Sequence, residues 1–118
     1  MKEFILIIRV PADYSSEDAK SVTTLWDVLT DEWKEKGFFA TSFVFPSQGF
    51  IISNGGANAN RESVVADGLK IVSTIIVRAE NYEDALTEAR RCPILQQGGN
   101  VEVVEIMSRP VKPAVNVH

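Results

Sequence analysis

Residues 79–110 read AENYEDALTEARRCPILQQGGNVEVVEIMSRP, and the order of signals in this stretch decides the fold. Asn81 stands where a helix N-cap belongs, with Asp84 three residues on, and Tyr82, Ala85, Leu86 and Ala89 recur at helical spacing. Pro93 is expected to stop that helix, Gly98-Gly99 to turn the chain, and Val101 to Met107 to form a valine-rich last strand. A short helix with a small apolar stripe needs a sheet to lie on, so partners for the last strand must come from upstream.

Working back, Lys70 to Arg78 is a long β-branched run, and Phe4 to Ile8 is a continuous apolar run ended by Arg9, Val10 and Pro11. Both read as buried strands. Between them, Ser15 and Ser16 precede Glu17 and Asp18, a capping arrangement that opens a first helix. Its expected apolar stripe is Val22, Leu25, Trp26, Leu29 and Trp33, and Gly37 is its expected C-terminal cap. Phe39 to Phe45 reads as a strand, Pro46 to Gly49 as a turn, and Phe50 to Ser53 as a returning hairpin partner. Asn54 to Asn60 reads as a flexible loop, and Ser63 to Ala66 as a further short strand before the Asp67-Gly68 turn. The order β-α-β-β-α-β predicts an α+β, ferredoxin-like antiparallel sheet with two helices on one face. Residues 1–107 form the domain and residues 108–118 a proline-containing tail.

The first strand is apolar at odd and even positions alike, and so is most of the Lys70 to Arg78 strand. Successive side chains point to opposite faces, so both faces of the sheet centre are apolar. Two helices cover only one. The other predicts a homodimer joined through the sheet face, because exposed patches of that size are rare on monomers. The alternative cover is the C-terminal tail, which carries Arg109, Lys112 and Asn116 and little apolar bulk.

Composition narrows the function classes. With 118 residues, 45% of them hydrophobic, and a net charge of −4, the chain reads as one globular domain. It lacks the basic face that nucleic acid binding requires. The N-terminal apolar run is too short for a secretory core or a membrane span, and the single cysteine, Cys92, forms no internal disulfide. A cytoplasmic protein without membrane contact is expected.

The catalytic inventory is thin. The one histidine is His118, the last residue, which removes the commonest acid–base group and any histidine-based metal cluster. No metal or cofactor motif is present, and the Asn54-Gly55-Gly56 and Gly98-Gly99 pairs lack phosphate-loop spacing. Cys92 lies at the negative end of its helix and reads as packing. What remains are polar residues in or beside apolar strands: Arg9, Ser42, Ser73, Thr74 and Arg78, with the turn pair Asp67 and Lys70. Those that face inward need a hydrogen-bond partner or a ligand. Arg9, Asp67, Lys70 and Arg78 are therefore candidate ligand contacts. Trp26 and Trp33, seven apart on one helix face, read as core, or one of them lines a cavity or the dimer seam.

The segment quoted first, with MKEFILIIR and Asp67-Gly68, resembles the YCII-related family and its DGPF branch. The carrying residues are Ala79 to Ala85, Ala89 to Pro93, the Gly98-Gly99 turn, and Val101-Glu102-Val103 leading to Arg109-Pro110. The resemblance implies a dimeric α+β barrel with a cavity between sheet and helices or at the barrel end. Some members carry a His-Asp pair. Here no internal histidine can take that role, and Leu69-Lys70 stand after Asp67-Gly68 where the family has Pro-Phe. The functions left open are binding of a small hydrophobic or anionic molecule, a cofactor-independent isomerase or lyase acting on a small cyclic or aromatic acid, and a non-catalytic assembly domain. In the enzyme reading Arg9 binds the carboxylate and Asp67 moves the proton.

Overall fold

The computed structural model describes residues 1–46, 49–60, 65–66 and 68–108. Asp67 and the tail from Arg109 onward, including the tail alternative for covering the sheet, lie outside the described residues. Strands β1 (Lys2–Pro11), β2 (Phe39–Val44), β6 (Leu69–Ala79) and β7 (Asn100–Ile106) form one antiparallel sheet in the order β2-β6-β1-β7. Short β5 (Val65–Ala66) continues the β2 side of β6, opposite Leu69 and Lys70. Helices α1 (Ser16–Glu35) and α2 (Tyr82–Ala89) supply the crossovers. This is the split βαβ arrangement of a ferredoxin-like α+β fold.

The alternation of β1 sorts the two faces. Phe4, Leu6, Ile8 and Val10 are buried and meet Leu29 and Trp33 of α1 and Ala85 and Ala89 of α2 in one core. Both helices thus lie on the same face. Ile5 and Ile7 point the other way and remain half-buried. Register places Ile76 and Val104 beside Ile5 on this open face, with Ile71 and Ile106 toward its ends.

The ends of α1 are set locally. Ser15 Oγ accepts from the Asp18 amide at 3.2 Å, and the Asp18 carboxylate accepts from the Ser15 amide at 2.8 Å, a closed capping box. Gly37 takes a φ of +73° just past the helix, as its expected capping role requires. The stripe differs from expectation at one position. Val22, Leu29 and Trp33 are buried and Trp26 is half-buried, but Leu25 is 58% exposed. The 22-26-29-33 spacing follows one face of the helix, and Leu25 sits about 70° from the centre of that face.

Two further expectations are corrected. Ile51–Ser53 (β3) does not return along β2; it pairs with β4 (Asn58–Asn60) across a 3₁₀ turn at Asn54–Gly56. Asn54 and Gly55, at φ of 54° and 64°, make that tight turn, so part of the expected loop is a hairpin. Helix α2 ends at Ala89, before Pro93, which opens a separate 3₁₀ turn at Pro93–Gln97. Pro93 acts there as a starting residue, where its missing amide costs nothing.

Candidate functional site

Between α1 and the helix-facing side of β2 and β6 lies an open cleft of about 650 Å³. Its cause is side-chain size. The C-terminal half of α1 seals against the sheet with Leu29 and Trp33, the latter fully buried. The N-terminal half presents Ala19 and Thr23 toward Ser42 and Ser73, and these small groups do not meet. Val10, Val22, Trp26, Val72 and Ile75 give the cleft an apolar middle, and Lys70 and Asp27 are its only charged residues among those described.

Lys70 reaches this cleft through an irregularity. Strict alternation from buried Ile75 would carry Ser73 and Ile71 inward and Lys70 outward. The β1–β6 register shifts between Ile8, opposite Ser73, and Arg9, opposite Ile71, leaving Val72 as an extra residue. Beyond this bulge the parity inverts, and Lys70 lies opposite buried Val10 on the helix-facing side. Its ammonium donates to the Tyr14 carbonyl oxygen at 3.4 Å, a long contact.

Tyr14 frames the same end. Its hydroxyl donates to Gln97 Oε1 at 2.8 Å, and Gln97 Nε2 donates onward to the Asp18 carbonyl and Ser21 Oγ, each at 3.1 Å. Burial, then the nearby Asp18 charge, pushes the Tyr14 phenol above its ordinary value, so it stays a neutral donor. This network ties the β1–α1 connection to the turn before β7.

The other sequence candidates lie elsewhere. Arg9 projects from the open face, where Nη1 contacts Glu102 Oε1 at 2.8 Å. Arg78 is exposed at the far end of β6, 3.8 Å from Glu3. Asp67 lies outside the described residues. The structure therefore brings Trp26 and Lys70 together with Ser42 and Ser73 and separates them from Arg9 and Arg78. Thr74 faces the open side, opposite Ile7. Tyr14, Gln97, Thr30 and Asp27 were not singled out from the sequence. Tyr14 is joined to Gln97 across 83 positions of chain, a pairing no local signal announces.

Cys92 is buried and its thiol is pushed up to about 12 by desolvation, which makes it inert at neutral pH. Among the described residues no group of three or more potential metal ligands gathers, and no helix is long and apolar enough to cross a membrane.

No family model matches the chain, and no curated protein matches it. Among solved structures it is similar to a de novo designed protein with a ferredoxin fold, determined by solution NMR. That likeness covers 100% of this chain and 96% of the other at 12% identity, with a TM-score of 0.43.

Proposed function

We propose that the protein is a dimeric binding protein that takes a small hydrophobic or anionic molecule into the cleft between α1 and the sheet. The observation that carries this reading is the cleft itself, about 650 Å³ with an apolar middle and a few convergent polar groups, the ordinary make-up of a small-molecule site. It is favoured over the isomerase or lyase alternative because Arg9, the carboxylate partner in that alternative, leaves the other face of the sheet in an ion pair with Glu102. The homodimer, joined through the open face, and kinship with the YCII-related family belong to the same reading, as does a cytoplasmic setting.

A thermal-shift panel of small aromatic acids, lactones and their neutral analogues tests it. A ligand at a hundredfold excess over Kd adds about 2.7 kcal/mol of stability, which raises Tm by roughly 10 °C in a domain this size. Thr30→Trp fills the cleft from α1 and is expected to abolish the shift while leaving the unliganded protein folded. A panel without any stabilising compound, or a shift that survives Thr30→Trp, would count against the proposal.

A further inference from the structure

The charges of the cleft are placed asymmetrically. The Lys70 ammonium lies against the Tyr14 carbonyl, next to the N-cap of α1. Asp27 is twelve residues beyond Ser15, about 18 Å along the helix. From Lys70 the strand runs on through Val72 and Ile75, and Trp26 stands beside Asp27 on the helix, with no other charged group among the described residues of the lining. One end is therefore cationic, the middle apolar and the far end anionic. Among the described residues no carboxylate comes within ion-pair distance of Lys70, and its contact to Tyr14 occupies one of three donors. Lys70 is half-buried and is turned inward only because of the bulge at Val72. Regular alternation would have left it on the other face, where Arg9 and Arg78 both have carboxylate partners.

Resting on the reading that this cleft is a ligand site, we propose that its ligand is an amphipathic anion. A carboxylate or sulfonate head meets Lys70 beside Tyr14, and a flat or aliphatic body lies between Trp26 and β6. Lys70, rather than Arg9, is the anion-binding residue of the chain. Asp27 at the other end works against a second anionic group, so the chemistry selected is a monoanion with an apolar tail.

Two fluorescent probes that differ only in the charged group separate this from cleft binding in general: 8-anilinonaphthalene-1-sulfonate and N-phenyl-1-naphthylamine. A charge-assisted contact in a partly dry site corresponds to about a tenfold change in affinity. Lys70→Gln is expected to weaken the sulfonate by about tenfold and to leave the neutral probe unchanged, and Lys70→Arg to retain the sulfonate. Trp26→Ala weakens both. In the wild-type protein, raising NaCl from about 20 to about 500 mM weakens the sulfonate alone. If neither probe depends on Trp26, the cleft reading and this inference fall together. If both depend on Trp26 but Lys70→Gln spares the sulfonate or weakens both probes alike, the cleft reading stands and the anion inference is overturned. Should Lys70→Gln fail to fold, absence of the wild-type salt dependence overturns it just as well.

Discussion

An alanine Cβ at Gly99 would fall on the carbonyl oxygen of Arg9 and 2.8 Å from Cδ1 of Ile94, with the Ile94 carbonyl at 3.2 Å. Two of these neighbours are backbone in a strand and a buried turn, so neither yields without disturbing the β1–β7 register. Gly98 differs: its φ of +81° asks for glycine through conformation, while its nearest neighbour, Pro11 Cγ, stands at 3.6 Å. Gly99→Ala is expected to destabilise the fold by about 2–3 kcal/mol through overpacking, and Gly98→Ala by about 1 kcal/mol through backbone strain alone. Urea unfolding at 25 °C distinguishes them; equal losses would show that the Arg9 and Ile94 neighbours of Gly99 do not set the cost. From sequence the pair reads only as a turn. The turn is local and legible, whereas the reason for the second glycine lies in a contact with a residue ninety positions away. Lys70 makes the same point for the site, since its residue type marked it but only the bulge decides which face it serves.

At the level of elements, the C-terminal ends of α1 and α2 are clamped together by Glu88. Its carboxylate accepts from Trp33 Nε1 at 3.4 Å, Lys36 Nζ at 3.1 Å and Arg91 Nη1 at 3.0 Å, and Arg91 also lies against Glu32. Burial alone raises the Glu88 pKa, but the hydrogen bonds from Arg91, Lys36 and Trp33 outweigh it and hold the group below its ordinary value. A carboxylate with a depressed folded pKa binds its proton less well in the folded state than in the unfolded chain. Its stabilisation is therefore complete above the ordinary value of about 4.3 and is lost as pH falls through the lower folded value. Glu88→Gln is expected to cost about 1 kcal/mol at pH 7, with the difference from wild type shrinking as pH falls below the ordinary carboxylate value. Chemical unfolding curves across that range provide the check; a deficit that persists undiminished at low pH would assign the effect to packing. Both helices were legible because each combines a capping residue with an apolar period. The hairpin of Ile51–Ser53 was not, because short strands without alternation carry no information about which partner they choose. Leu25 was misplaced for a related reason: a stripe of apolar residues one position wide of the true face still looks periodic.

Over the whole molecule, the sheet has one sealed face and one open. The sealed face holds the core and, where α1 stands off the sheet, the cleft. The open face carries Ile5, Ile7, Ile71, Ile76, Val104 and Ile106, all half-buried, with the Arg9–Glu102 and Glu3–Arg78 pairs toward its ends. Aliphatic centre and charged margin is the usual anatomy of a protein interface. At about 25 cal/mol per Å² of apolar area, covering this centre with its own copy outweighs the modest worth of the exposed ion pairs. Twofold pairing of identical faces also needs no second surface, since the same patch serves both subunits. Ile76 lies opposite Ile5 on one side and Thr41 on the other, in the middle of the patch. If the proposed dimer forms through this face, Ile76→Lys is expected to leave a monomer by light scattering, with unchanged far-UV circular dichroism and a Tm that no longer rises with protein concentration. The cleft lies on the other side of the sheet, so the monomeric variant should still bind an aromatic acid, more weakly only if β6 shifts. A wild-type protein that remains monomeric at tens of micromolar would sink the dimer without touching the cleft, because the two predictions rest on opposite faces of the same strands.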